Sequence, residues 1–97
     1  MHANPPRDDN TSMVAVRFLL DADADPGLLP RLLQPFAKRD LTPDRMWSHR
    51  LNGTMHVEIA VTAMPIEAVH LIEGNLGAVV GVRMVTQVRS SALHRVA

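Results

Sequence analysis

The dipeptide Asn52-Gly53, set between "LTPDRMWSHRL" and "TMHVEIAVTA", constrains this chain more than any other feature. Asn-Gly between two alternating segments is the strongest short-range hairpin signal, because a type I′ turn needs positive φ at both central residues. A two-residue loop there pairs Arg50 with Met55, Ser48 with Val57 and Met46 with Ile59 on one face. On the opposite face His49 meets His56 and Trp47 meets Glu58. The apolar set Met55, Val57, Ile59 and Val61 marks the core side. Pro43 places the first arm at a sheet edge, where a missing N–H donor does little harm.

The flanking segments supply the other elements. "MVAVRFLL" (13–20) is short and β-branched, the signature of a mostly buried strand. Leu29, Leu32, Leu33 and Phe36 then recur at helical spacing, the stripe of an amphipathic helix. Pro30 is tolerated only within about the first turn, so that helix begins near Gly27, and Pro35 bends it or loosens its last turn. Pro65 opens a second helix with Ile66, Val69, Ile72 and Leu76 inward and Gly77 as its stop. "VVGVRMVTQV" (79–88) reads as a last strand, with Val80, Val82 and Met84 alternating against Gly81 and Arg83. The order β-α-β-β-α-β predicts an α+β, ferredoxin-like fold: a four-stranded antiparallel sheet with both helices on one face. The expected domain spans residues 13–89, between a flexible tail (1–12) and a C-terminal tail (90–97).

Ten basic and ten acidic residues cancel, so the chain has no electrostatic footprint for nucleic acid. The absence of cysteine excludes disulfides, thiolate metal sites and cysteine nucleophiles. No apolar run approaches the roughly 18 to 20 residues of a membrane span, and the N-terminus lacks the pattern of a secretory signal. These features predict a soluble, cytoplasmic protein with neither nucleic-acid nor membrane partners. With three aromatics in 97 residues, the core must be built from aliphatic side chains.

Candidate chemistry centres on "DADADPGLL" (21–29) and on the five histidines. An EF-hand counted from Asp21 needs glycine at the sixth position and glutamate at the twelfth; this chain has Pro26 and Leu32. Asp25 instead stands just before the helix, where a carboxylate can cap free N–H groups and meets the positive end of the dipole. His49 and His56, directly opposite with Glu58 nearby, make at most a partial metal site, since structural zinc takes four ligands. Among proteins of this topology, RNA-recognition modules need stacking aromatics on the central strands, where Phe18 stands alone. An acylphosphatase-like site needs a glycine-rich phosphate loop around Arg17, and a copper carrier needs thiolates; the chain has neither. No Ser-His-Asp spacing can be argued. The expectation is a non-enzyme with no metal and no cofactor.

The segment "DADPGLLPRLLQPFAKRDL" (23–41), with its preceding strand, the hairpin and the closing "VVGVRMV", resembles the ACT domain family over about 75 residues. It is most similar to the small regulatory subunits of acetolactate synthase. The resemblance implies a homodimeric regulatory module, with no catalysis of its own, that binds a small amino acid where the first loop meets its neighbour. It places the ligand-binding positions at Asp23, Ala24, Asp25, Pro26, Gly27, Leu28 and Thr42, and implies a partner enzyme subunit. Two positions depart from the family pattern. Ala24 stands where a polar ligand-holding residue is common, and Asp40-Leu41-Thr42-Pro43 replaces the usual Gly-x-Asn-Ile. Three nearby aspartates would also repel a ligand's carboxylate while favouring its ammonium. The alternative is a ligand-free dimerisation scaffold for a partner enzyme, with Trp47 and the Pro43 edge strand as its contact surface.

Overall fold

The computed structural model describes residues 12–91. The expected tails lie outside this range except for Ser12, Ser90 and Ser91, and the last two belong to a strand. The elements run β1 (Met13–Asp23), α1 (Leu28–Ala37), β2 (Arg45–Leu51), β3 (Thr54–Pro65), α2 (Ile66–Gly77) and β4 (Val82–Ser91). All strand pairs are antiparallel, in the order β2-β3-β1-β4. This is the βαββαβ ferredoxin-like arrangement expected from the sequence. Among the described residues, no helix is long and apolar enough to cross a membrane.

The hairpin follows the predicted register at every pair, from Met46 opposite Ile59 to Arg50 opposite Met55. Its turn differs in one respect: Asn52 takes φ 60°, while Gly53 stays outside the left-handed region. One central residue, not both, therefore carries the positive φ.

The core lies between the sheet and the two helices. Strand β1 contributes Val16, Phe18, Leu20 and Ala22, and β3 contributes Val57, Ile59 and Val61, all buried. Alternation then breaks. Val16 pairs with Val61 but Val14 pairs with Met64, so β3 carries one extra residue at Thr62–Ala63. Such a bulge moves the inward side chains from odd to even positions, which is why Met64 is fully buried. A second irregularity lies between Asp21–Met84 and Ala22–Val82, where β4 has Arg83 as its extra residue. It corrects the reading of the last strand: Val82 and Val85 pack against the core, whereas Met84 points to the opposite face, 56% exposed. Val80 is not in the strand and is 78% exposed.

The helices are also rotated from their predicted faces. In α1 the buried set is Leu28, Leu32, Pro35 and Phe36, while Leu33 is exposed and Leu29 half-buried. Phe36 meets Phe18 edge to face, with ring centroids 5.8 Å apart, the geometry aromatic quadrupoles favour. In α2, Val69, Ile72 and Leu76 are buried as predicted, but Ile66 is exposed. Gly77 ends that helix without a left-handed cap, since the cap is Ala78 at φ −87°.

Helix α1 ends two residues past Pro35 in a Schellman closure. The Leu41 N–H donates to the Phe36 carbonyl (2.9 Å) and the Asp40 N–H to the Ala37 carbonyl (3.1 Å). The left-handed position is Asp40, at φ 58°. Beyond it, Asp44 substitutes for a missing stretch of strand. Its backbone N–H donates to the Ala60 carbonyl (2.8 Å), and its carboxylate accepts the Thr62 N–H (2.6 Å) at the bulge. That backbone hydrogen bond holds the Asp44 pKa below the usual aspartate value.

Two outcomes follow. Asp40→Gly removes the steric cost of a side chain at positive φ and should raise stability by about 1 kcal/mol in chemical denaturation. Asp44→Ala should lower the melting temperature at neutral pH. A carboxylate with a lowered folded-state pKa stabilises above its unfolded value and loses that contribution as the pH falls through the folded one. The gap between wild type and Asp44→Ala should therefore close below about pH 4, and a gap that widens there would contradict the assignment.

Candidate functional site

Three turns meet at the end of the sheet where β1 stops. The Asp23 N–H donates to the Gly81 carbonyl (2.8 Å), tying the first loop to the α2–β4 turn. The next N–H, of Ala24, donates to the Gly53 carbonyl (2.9 Å) at the hairpin tip. Consecutive donors on opposite sides thus pin residues 23–24 between two other loops. Gly81 takes φ 97° to present its carbonyl there, a conformation that L side chains rarely adopt.

The three aspartates turn away from one another to separate basic partners. Asp21 bonds His56 Nδ1 at 2.6 Å, Asp23 pairs with Arg83 at 2.5 Å, and Asp25 pairs with Arg31 at 3.2 Å. The acidic field that the sequence suggests is offset locally. Asp25 is not the helix cap; Gly27 is, and it has no side-chain cap. Asp25 lies two residues earlier, where its carboxylate accepts the Gly27 N–H (3.1 Å) and its carbonyl accepts the Leu28 N–H (3.0 Å). With Pro30 lacking an N–H, Leu29 is the one residue of the first helical turn whose N–H is neither internally bonded nor absent, among the described residues. The helix N-terminus is thus a weaker anion attractor than its position in sequence implies.

Beside the first loop is an open cleft of about 270 Å³ lined by Ala24, Asp25, Pro26, Arg50 and Met55. Four of the seven predicted ligand positions border or adjoin it on the loop: Ala24, Asp25 and Pro26 line it, and Gly27 follows directly. Asp23 pairs with Arg83, as Asp25 does with Arg31, but does not line the cleft, and Leu28 is fully buried in the core. Thr42 is not brought here. It lines a separate hollow with Leu33, Ala37 and Leu41, past the far end of α1, and a ten-residue helix separates the two by roughly 15 Å.

Arg50 was not among the predicted ligand positions. It makes no ion pair among the described residues and lines the same cleft as Asp25. The hairpin register had placed it at the sheet end beside Met55; the contact of that end with the first loop appears only in three dimensions. A guanidinium and a carboxylate lining one cleft beside apolar side chains can receive the two charged ends of a small zwitterion.

The facing histidines diverge. His56 is held by Asp21, while His49 stacks on Trp47, ring centroids 5.9 Å apart and planes 19° from parallel. Among the described residues, no group of three or more His, Cys, Asp or Glu side chains converges as a metal site.

Comparison with known proteins places these features in context. Residues 8–94 match the family model described as "ACT-like domain". Among solved structures the chain is similar to a homoserine dehydrogenase from Thiobacillus denitrificans, with a TM-score of 0.71 and 16% identity over 86% of this chain. At that identity the likeness concerns the fold, and the chain spans 19% of that enzyme's length. A search of curated protein sequences returns no match.

The Gly81 geometry is directly testable. Gly81→Ala forces a Cβ into the left-handed region and should cost about 1 to 2 kcal/mol in denaturant titration; an unchanged midpoint would mean that the α2–β4 turn does not hold the first loop.

Proposed function

The chain belongs to the ACT-like domain family, and from that premise we propose that it is a non-catalytic regulatory module that binds a small amino acid in the cleft beside its first loop. The observation that carries this reading is that Arg50, with no ion pair among the described residues, and Asp25 line the same cleft, with Ala24, Pro26 and Met55 as its other lining. In it, Arg50 takes the ligand's carboxylate and Asp25 its ammonium, with Met55 against the side chain. The small volume and the absence of a second polar side chain at Ala24 favour a short, apolar amino acid. As one chain leaves the cleft open, a neighbouring copy closes it, and the acting form is a homodimer that regulates an enzyme of amino-acid biosynthesis. Acetolactate synthase is the partner whose small subunits the sequence resembles. The similarity to a segment covering 19% of a larger enzyme supports a unit that acts on a catalytic partner.

A second reading is a scaffold without ligand. It is favoured by the self-satisfied first turn of α1, where Asp25 already serves Gly27, Leu28 and Arg31.

Isothermal titration against the twenty amino acids separates the two. Under the sensor reading one apolar amino acid binds, and Arg50→Ala weakens it about tenfold or more, the loss of a charge-assisted pair. Binding of none of the twenty would sink the sensor and leave the scaffold, which then requires a catalytic subunit to co-purify from the native host.

A further inference from the structure

On the helix side of the sheet, α1 and the end of α2 leave a groove of about 290 Å³ between them. Arg31, Gln34 and Lys38 line it from α1, and Asn75 from the last turn of α2. The three α1 residues recur at i, i+3 and i+7, so they stand on one face of that helix. Pro35, which is buried, and Val79, half-buried, supply its apolar part. The lining thus holds two cations and two amides, and no carboxylate.

These donors are largely uncommitted. Among the described residues, Lys38 makes no ion pair, and the side chains of Gln34 and Asn75 make no hydrogen bond within the chain. Arg31 gives one nitrogen, Nη1, to Asp25 at 3.2 Å. A guanidinium carries five N–H groups, so most of its fork remains. The neighbouring helix end does not oppose an anion either. The carbonyls of Gly74, Asn75 and Leu76, where the negative end of the α2 dipole lies, accept the N–H groups of Ala78 and Val79. Glu73, the one carboxylate in the second half of α2, accepts a hydrogen bond from Gln87 of β4 at 2.8 Å.

We propose that this groove binds a phosphate group, free or carried on a small metabolite. Two positive charges match those of a phosphate dianion. Arginine presents a planar fork and lysine a point charge, the two residue types that hold phosphate. The amides of Gln34 and Asn75 add neutral N–H donors for further oxygens, more than the two oxygens of a carboxylate can use. The volume lies just under the roughly 300 Å³ at which small-molecule sites begin. A phosphate on a body of a few carbon atoms therefore fills it, with Pro35 and Val79 against that body. The site rests on its own lining and not on the amino-acid reading. The two meet at one bond, since Arg31 lines the groove and Asp25 the cleft.

Isothermal titration of the full chain with inorganic phosphate and with glycerol 3-phosphate, in a buffer free of oxyanions, tests the inference. One site should bind at least one of them, and backbone amide NMR shifts should cluster at residues 31–38 and 75–79. Arg31→Ala and Lys38→Ala should each weaken binding about tenfold or more, as loss of a charge-assisted bond does, and Lys38→Arg should retain most of it. Arg39→Ala removes an exposed cation outside the lining and should change nothing. Tighter binding of the ester assigns the groove to a phosphorylated metabolite, and equal or tighter binding of phosphate to the free ion; either supports the site. No binding of either probe, an equal loss in Arg39→Ala, succinate bound as tightly as phosphate, or shifts confined elsewhere would each overturn it. Lys38 is exposed, so its substitution leaves the fold intact, which circular dichroism checks. Because Lys38 does not line the cleft, Lys38→Ala titrated with amino acids separates this result from the sensor reading.

Discussion

The fold depends on β1, a central strand packed under both helices. It bonds to β3 on one side and β4 on the other, and its alternate residues Val16, Phe18, Leu20 and Ala22 are the floor of the core. Phe18 is the pivot, since its edge-to-face contact with Phe36 sets the rotation of α1. In a chain with only two phenylalanines, no other pair could supply that contact. Once α1 is seated by Phe36, Leu32 and Leu28, its N-terminus lies over the end of β1, and the first loop must turn sharply to reach it. The candidate site is a consequence of that turn.

The same constraint explains how the loop is held. A chain leaving a central strand has neighbours on both sides, so Asp23 and Ala24 find acceptors on two different turns. An edge strand could offer only one. This two-sided pinning makes the loop a fixed wall, a property a small ligand pocket needs because its affinity falls with every group that must be ordered on binding. The aspartates contribute to rigidity in the same way, each tied to a basic residue on a different element.

On the uncovered face, the bulge at Arg83 has an effect beyond local twist. Plain alternation from Val85 would turn Arg83 toward the helices and Val82 to the open face; the extra residue brings Val82 back onto the core. With it, Arg83 reaches Asp23, while Met84 stays on the open face. The bulge in β3 has a comparable result: it turns Met64 into the core and leaves the Thr62 N–H to be satisfied by Asp44. Each irregularity gives one polar group a partner and turns one apolar side chain onto the core, Val82 in β4 and Met64 in β3.

Local chemistry was sufficient for the hairpin, whose register follows from Asn52-Gly53, and for the element order, since helix starts and strand runs are dictated by proline positions and apolar spacing. The edge position of β2 was legible for the same reason, through Pro43. What the sequence could not determine were the phase shifts and the meetings. A bulge has no signature in alternation until the partner strand is placed, so Val80, Val82 and Met84 read as one face when they are not. Helix rotation was misread because Leu28, Leu29, Leu32 and Leu33 offer two overlapping stripes, and only contact with Phe18 chooses between them. Arg50 and Asp25 in one cleft, Thr42 remote from both, and each aspartate with its own cation are facts of tertiary placement. Periodicity reports which way a side chain points within its own element; only the packing of β1 beneath both helices decides what it points at.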